Sequence, residues 1–136
     1  MKLTSYEAYA SASYVGYALA DGSIGLSLKS VKRDSESANY CGGLVLGAAF
    51  GKSPDTGIFI GTENGAAVVK CKGTVLYSCS SANDAMQIAV SSYGGHFSVS
   101  FDTENSFEFD EPDCSGGCLS VYGENSVTSF YNIEYK

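Results

Sequence analysis

Tryptophan is absent from the 136-residue chain, histidine occurs once, at His96, and proline twice, at Pro54 and Pro112. Charge is also scarce: 17% of residues carry it, and eight Lys and Arg against fifteen Asp and Glu leave a net charge of −7. Scattered, outnumbered cations cannot neutralise a polyanion, which argues against a nucleic acid or an anionic membrane surface as partner. The longest apolar stretch, around Gly42 to Phe50, falls well short of the roughly 20 residues a membrane-crossing helix needs, so no membrane insertion is expected. With a single histidine and no Cys-x2-Cys, the usual zinc spacings are missing. No Gly-x-Ser-x-Gly elbow is present, and no Asn-x-Ser/Thr acceptor. Met1 to Tyr17 contains no continuous apolar core of the signal-peptide kind, so Met1 is expected to begin a mature domain.

What is plentiful is glycine, with 16 residues, together with serine and alternating apolar residues. Ile24, Leu26 and Leu28 alternate with Ser23, Gly25, Ser27 and Lys29; Leu44, Leu46, Ala48 and Phe50 repeat the pattern, as do Phe97, Val99 and Phe101, then Phe107 and Phe109. A period of two marks strands with one buried face. Turn signals recur about every ten residues, among them Asp21-Gly22, Glu63-Asn64-Gly65, Lys72-Gly73-Thr74, Gly94-Gly95 and Gly123-Glu124-Asn125. Ser80 to Met86 is the one stretch suited to a helical turn, and Lys32 to Asn39 reads as a charged exposed loop. Short strands at this rhythm in a chain of one-domain length predict an all-β fold, a two-sheet antiparallel β-sandwich spanning residues 1–136.

Five cysteines without metal spacing point to an oxidising setting, secreted or at the cell surface, and an odd count leaves one thiol over. Cys114 with Cys118, across Ser115-Gly116-Gly117, is the first expected disulfide, and Cys71 with Cys79 the second. A two-residue turn at Gly73-Thr74 would put Cys71 and Cys79 on opposite faces. Cys41 with either Cys71 or Cys79 is an open alternative.

Among groups able to act on a ligand, the ten tyrosines come first, since an exposed ring offers a flat apolar face and a hydroxyl. Tyr93, before the Gly94-Gly95 turn, and Tyr122, alternating away from Leu119 and Val121, are the preferred candidates, with Asp102 as a polar contact. Asp102, Asp110 and Asp113 belong to the densest run of hard oxygen donors, the chemistry a calcium ion requires. Glu108 and Asp110 alternate as a carboxylate pair would, but Pro112 occupies the third position, so paired-carboxylate catalysis is disfavoured. His96, at the start of a strand, reads as structural.

From Ser23 onward the order of segments resembles the laminin G-like and concanavalin A-like jelly-roll superfamily. The pieces that carry the likeness are Ser23 to Lys29, Gly43 to Gly47, Thr56 to Gly61, the Glu63-Asn64-Gly65 turn with Val68 to Lys70, Gly95 to Phe101, and the closing Gly117 to Gly123 and Val127 to Ile133. They cover about four-fifths of the chain. The residue before His96 is Gly95, where members of the superfamily often carry an aromatic, and in the absence of Trp any sugar stacking falls to Tyr. The resemblance implies a non-catalytic extracellular module that recognises a carbohydrate or surface glycoconjugate, with a rim calcium site consistent with it. A glycan-cleaving enzyme on the same sandwich and a self-associating structural, adhesion or coat protein are the alternatives.

Overall fold

Residues that alternate between apolar and small polar types cover both sides of a pleat unequally, and hydrophobic burial drives the apolar side against a second such sheet. The computed structural model shows this arrangement. It describes residues 2–4, 10–18, 22–32, 39–48, 56–80, 85–103, 105–114 and 118–135, with side chains from residue 22 onward except those of Ala48, Cys118, Leu119 and Tyr135. Twelve strands are described: β1 (Lys2–Thr4), β2 (Ala10–Ala18), β3 (Gly22–Lys32), β4 (Cys41–Ala48), β5 (Ile58–Glu63), β6 (Ala66–Cys71), β7 (Thr74–Ser80), β8 (Ala85–Tyr93), β9 (His96–Phe101), β10 (Asn105–Asp110), β11 (Cys118–Glu124) and β12 (Ser126–Tyr135). One 3-10 turn, Pro112–Cys114, follows β10. The strands form two six-stranded sheets, β1-β12-β3-β8-β9-β10 (sheet A) and β2-β11-β4-β5-β6-β7 (sheet B). Every pairing is antiparallel. The expected two-sheet sandwich is what forms.

The core lies between the sheets. Ile24, Leu26 and Leu28 of β3, Met86, Ile88 and Val90 of β8 and Phe97, Val99 and Phe101 of β9 meet Leu44, Leu46, Ile58, Ile60 and Val69 from the opposing sheet. The residues of β3, β4 and β9 among them are positions that the alternation assigned to the buried face. Tight turns follow the expected chemistry: Asn64 and Gly65, and Lys72 and Gly73, adopt positive φ (53° and 85°, 50° and 82°), the left-handed pair that a two-residue hairpin needs. A small polar cluster closes one end, where the buried Ser126 hydroxyl donates to Cys41 O at 2.8 Å and lies 2.9 Å from Thr128 Oγ1, itself 2.9 Å from Ser30 Oγ. Gly42 faces this cluster, and a Cβ there would collide with Thr128 and Ser30.

Two local expectations change. Ala85 and Met86 belong to β8, and Ser80 ends β7, so the described part of the 80–86 segment is extended; residues 81–84 lie outside the described residues. The turn after β6 is Lys72-Gly73, since Cys71 pairs with Thr74. The ladder then steps past Leu76, pairing Lys70 with Val75 and Val69 with Tyr77, so a bulge rather than a regular hairpin decides which side chains of β7 face inward. Tyr6, Tyr9, Pro54, the Asp21 position of the first turn and most of the 32–39 loop lie outside the described residues.

Candidate functional site

The outward face of sheet A can be read directly from its register. Rows of residues run across β12, β3, β8 and β9: Ser23, Ser91 and Ser98 form one, Glu134, Gly25, Ala89 and Ser100 the next, and Tyr131, Ser27 and Gln87 a third. Cross-strand neighbours on one face stand roughly 5 Å apart, and here all but Glu134, Tyr131 and Gln87 are small. The result is a shallow trough. Its two adjoining depressions, about 250 and 290 Å³, share Gly25, Ala89, Ser100 and Glu134; the first is also lined by Ser23, Ser91 and Ser98, and the second by Gln87, Thr103 and Asn132. Asn132 reaches the trough because β12 bulges between Tyr131 and Glu134, with Asn132 at φ 54°. That inserts one residue and brings Glu134 opposite Gly25.

Exposed tyrosines flank the trough diagonally. Tyr93, 76% exposed, stands one row beyond Ser91 and Ser98, and Tyr131, 39% exposed, lies beside Ser27 at the other end. Six residues of β8 separate the two rows, about 20 Å along the strand. Tyr93 is thus exposed, as expected, whereas Tyr131, Glu134, Asn132, Gln87 and the serines were not singled out from sequence. The period-two spacing of Ser23, Gly25, Ser27 and of Ser98, Ser100 carried the signal for a small-residue face, but only the strand order joins the segments.

Tyr122 does not qualify as a stacking platform. It points away from the core as its alternation indicated, yet it is 8% exposed within a second apolar cluster with Val45, Phe59 and Val68 on the outward side of sheet B. Its ring meets Phe59 edge-on at 6.3 Å, and its hydroxyl donates to Glu124 Oε2 at 3.1 Å. A ring so enclosed cannot offer a face to a sugar. Nearby, Glu63 pairs with Lys70, and burial with help from Glu124 and Glu63 pushes the Cys41 thiol up to about 12.

The proposed calcium carboxylates are dispersed. Asp102 lies at the β9–β10 connection, where Gln87 N donates to its Oδ1 at 2.9 Å and its own N–H donates to Gln87 O at 2.8 Å. Asp110 lies at the far end of the same hairpin, opposite His96, about 17 Å away along the strand. Asp113 sits in the 3-10 turn, 3.5 Å from Lys72 Nζ. Among the described residues no three His, Cys, Asp or Glu gather as metal ligands. The calcium grouping fails because the hairpin holds Asp102 and Asp110 at opposite ends.

Glu108 and Asp110 do share a face, as their spacing implied, but both engage His96: Nδ1 is 2.7 Å from Asp110 Oδ1 and Nε2 3.2 Å from Glu108 Oε1. These hydrogen bonds, Asp110 first and then Glu108, raise the His96 pKa above its ordinary value near 6.5. The imidazolium is the form that the folded state favours, so any stabilisation is complete below about pH 6.5. It is lost as pH rises through the elevated folded value. A proton NMR titration of the imidazole is expected to show a midpoint above 6.5 that falls back in Asp110→Asn; an unshifted midpoint in the parent chain refutes the clamp.

Of the two expected disulfides, Cys71 with Cys79 is ruled out, and Cys114 with Cys118 involves a side chain outside the described residues. Cys41, Cys71, Cys79 and Cys114 are thiols; the Cys118 side chain lies outside the described residues, and Cys114 lies in the same buried cluster as Cys71, whose Sγ donates to Glu111. Cys79 pairs with Ala67 while Cys71 pairs with Thr74. The separation of four residues along β6, about 13 Å, is beyond the reach of a disulfide.

No protein-family model matches the chain, and no curated protein matches it in sequence. Its fold, however, is shared with solved structures. The carbohydrate-binding module CBM66 from Bacillus subtilis superposes with a TM-score of 0.68 at 13% identity over 99% of this chain and 85% of the other. The two chains share a two-sheet jelly-roll sandwich fold. Among other sandwiches of this jelly-roll type, the Caenorhabditis elegans galectin LEC-6 matches with a TM-score of 0.54 at 14% identity, covering 99% of this chain and 95% of that one. The alginate lyase AlgAT5 from polysaccharide lyase family 7 reaches 0.60 at 12% identity, covering 85% of this chain and 58% of the lyase. At such identities the likeness is one of fold, and within this sandwich the site rests on its own residues.

Proposed function

We propose that the chain is a non-catalytic carbohydrate-recognition module that binds a neutral glycan along the outward trough of sheet A, in a secreted or surface-displayed setting. The observation that carries this reading is the trough itself, a floor of small hydroxyl-bearing and glycine or alanine side chains between exposed Tyr93 and Tyr131. A sugar ring needs a flat surface within van der Waals reach, aromatic faces for its C–H side and oxygen acceptors for its hydroxyls. Gly25, Ala89 and the serines provide the first, the tyrosines the second, and Glu134, Gln87 and Asn132 the third. The described lining includes Glu134 but no Lys or Arg, a charge pattern that suits sugar hydroxyl donors and repels uronate carboxylates. Support also comes from the fold, shared with a carbohydrate-binding module and a galectin.

The test is a glycan array with the purified chain, followed by calorimetry on any hit. Saturable binding to neutral glycans, weakened roughly tenfold by Tyr93→Ala through loss of a stacking contact worth about 1.4 kcal/mol, is the expected result. Preference for anionic glycans, or equal affinity in Tyr93→Ala, overturns the placement of the site. Turnover of a bound glycan would instead favour the glycan-cleaving reading.

A further inference from the structure

Two thiols from distant parts of the chain meet at one edge of the sandwich. Cys71 is the last residue of β6 in sheet B, and Cys114 ends the 3-10 turn by which the chain leaves β10 of sheet A. Both are buried, at 9% and 3% exposure, in the same apolar cluster, and both are tied to Glu111, which accepts from Cys71 Sγ and from Cys114 N. The backbone around them is tied down. Cys114 N donates to Glu111 O at 3.1 Å, Glu111 N donates to Gly95 O at 2.8 Å, and Lys72 N donates to Gly57 O at 2.9 Å. Glu111 joins the two segments through its side chain, accepting from Cys71 Sγ at 3.3 Å and from Lys72 Nζ at 3.2 Å. Gly47 of β4 supports Cys114 from behind, where a Cβ would lie 2.5 Å from the Cys114 Cβ.

We propose that Cys71 and Cys114 are a disulfide-forming pair that staples the end of β6 to the turn leaving β10, joining the two sheets. Among the cysteine side chains described, the competing partners are poorly placed. Cys79 is four ladder positions from Cys71, and Cys41 lies beside the outward cluster of sheet B. The bond encloses residues 71–114, the segment containing β7 through β10 and hence Tyr93, Ser98 and Ser100 of the trough, although the proposal stands on its own without the glycan-binding reading.

With glutathione disulfide as oxidant, one protein thiolate attacks its S–S bond and releases one glutathione. The second protein thiolate then displaces the other glutathione from the mixed disulfide. Two cysteine thiols lose two protons and two electrons, and one glutathione disulfide becomes two glutathione thiols. Burial and the adjacent Glu111 carboxylate push the Cys71 thiol up to about 11, so little thiolate is available once the chain has folded. Oxidation therefore belongs to folding, before the site closes.

The experiment refolds the reduced, denatured full chain in a glutathione redox buffer, caps remaining thiols with iodoacetamide and maps the unreduced digest by mass spectrometry. A peptide linking Cys71 to Cys114, with Cys41 and Cys79 alkylated, is expected. The oxidised protein should also melt on the order of 10 °C above the chain refolded with its thiols reduced, as closing a loop of this length implies. Cys71→Ser and Cys114→Ser should each abolish that difference while Cys79→Ser retains it. A Cys114–Cys118 link, a link from Cys71 to any other cysteine, or alkylation of both Cys71 and Cys114 overturns the proposal; should a serine variant fail to fold, the map of the parent chain decides alone.

Discussion

Replacement of Ser100 by tyrosine is expected to lower glycan affinity at least about tenfold, equivalent to about 1.4 kcal/mol or more, while leaving the melting temperature close to that of the parent chain. Ser100 lines both depressions of the trough and lies across from Ala89 of β8. Its side chain points outward, opposite in sense to the buried Val99 and Phe101 on either side, so a larger residue projects into the trough rather than the core. Tyrosine also suits a strand, which keeps the backbone effect small. A glycan lying along the trough would have to lift off the floor or shift, losing contacts on both sides of Gly25. Calorimetric titration beside a thermal melt separates the outcomes. Unchanged affinity in a stably folded Ser100→Tyr variant removes the trough from consideration, and lost stability would mean that Ser100 is packed more tightly than its partial exposure indicates.

Truncation of Phe97 to alanine should destabilise the fold by about 3–5 kcal/mol. Phe97 is fully buried and stacks on Phe109 with ring centroids 5.3 Å apart. Phe109 in turn stacks on Phe107 at 5.7 Å, and Phe107 on Tyr77 of the facing sheet at 5.2 Å. The substitution would leave a cavity at the start of an aromatic series that joins β9, β10 and β7, and neighbouring strands held by their own ladders cannot collapse fully into it. Urea unfolding monitored by tyrosine fluorescence measures the loss as a lower midpoint with the slope retained. A cost below about 1 kcal/mol would mean that Phe109 relaxes into the space.

Some of this was legible in the sequence because the relevant signal is local. Whether a residue faces inward is set by its parity along the strand, so the alternation around Leu26, Leu44 and Phe97 identified core residues that the structure buries. Left-handed turn residues are equally local, hence the hairpins at Asn64-Gly65 and Gly94-Gly95. The exposure of Tyr93 was legible for the same reason, since it ends a strand beside a glycine turn. Parity failed where the ladder slips: the step past Leu76 and the bulge at Asn132 each change which neighbours a side chain meets.

What the sequence determined by itself was therefore the class of fold and the buried face of strands such as β3, β4 and β9, because apolar alternation and turn chemistry act within a few residues. The tertiary structure alone decided the partners. Strand order set Glu134 beside Gly25 and Ala89 to make a trough and enclosed Tyr122 in the outward cluster of sheet B. It held Asp102 and Asp110 at opposite ends of a hairpin, and brought Cys71 to Cys114 across 43 residues of chain. Such contacts depend on which strands pair and in what register, a choice made by the collective burial of both sheets rather than by any local spacing.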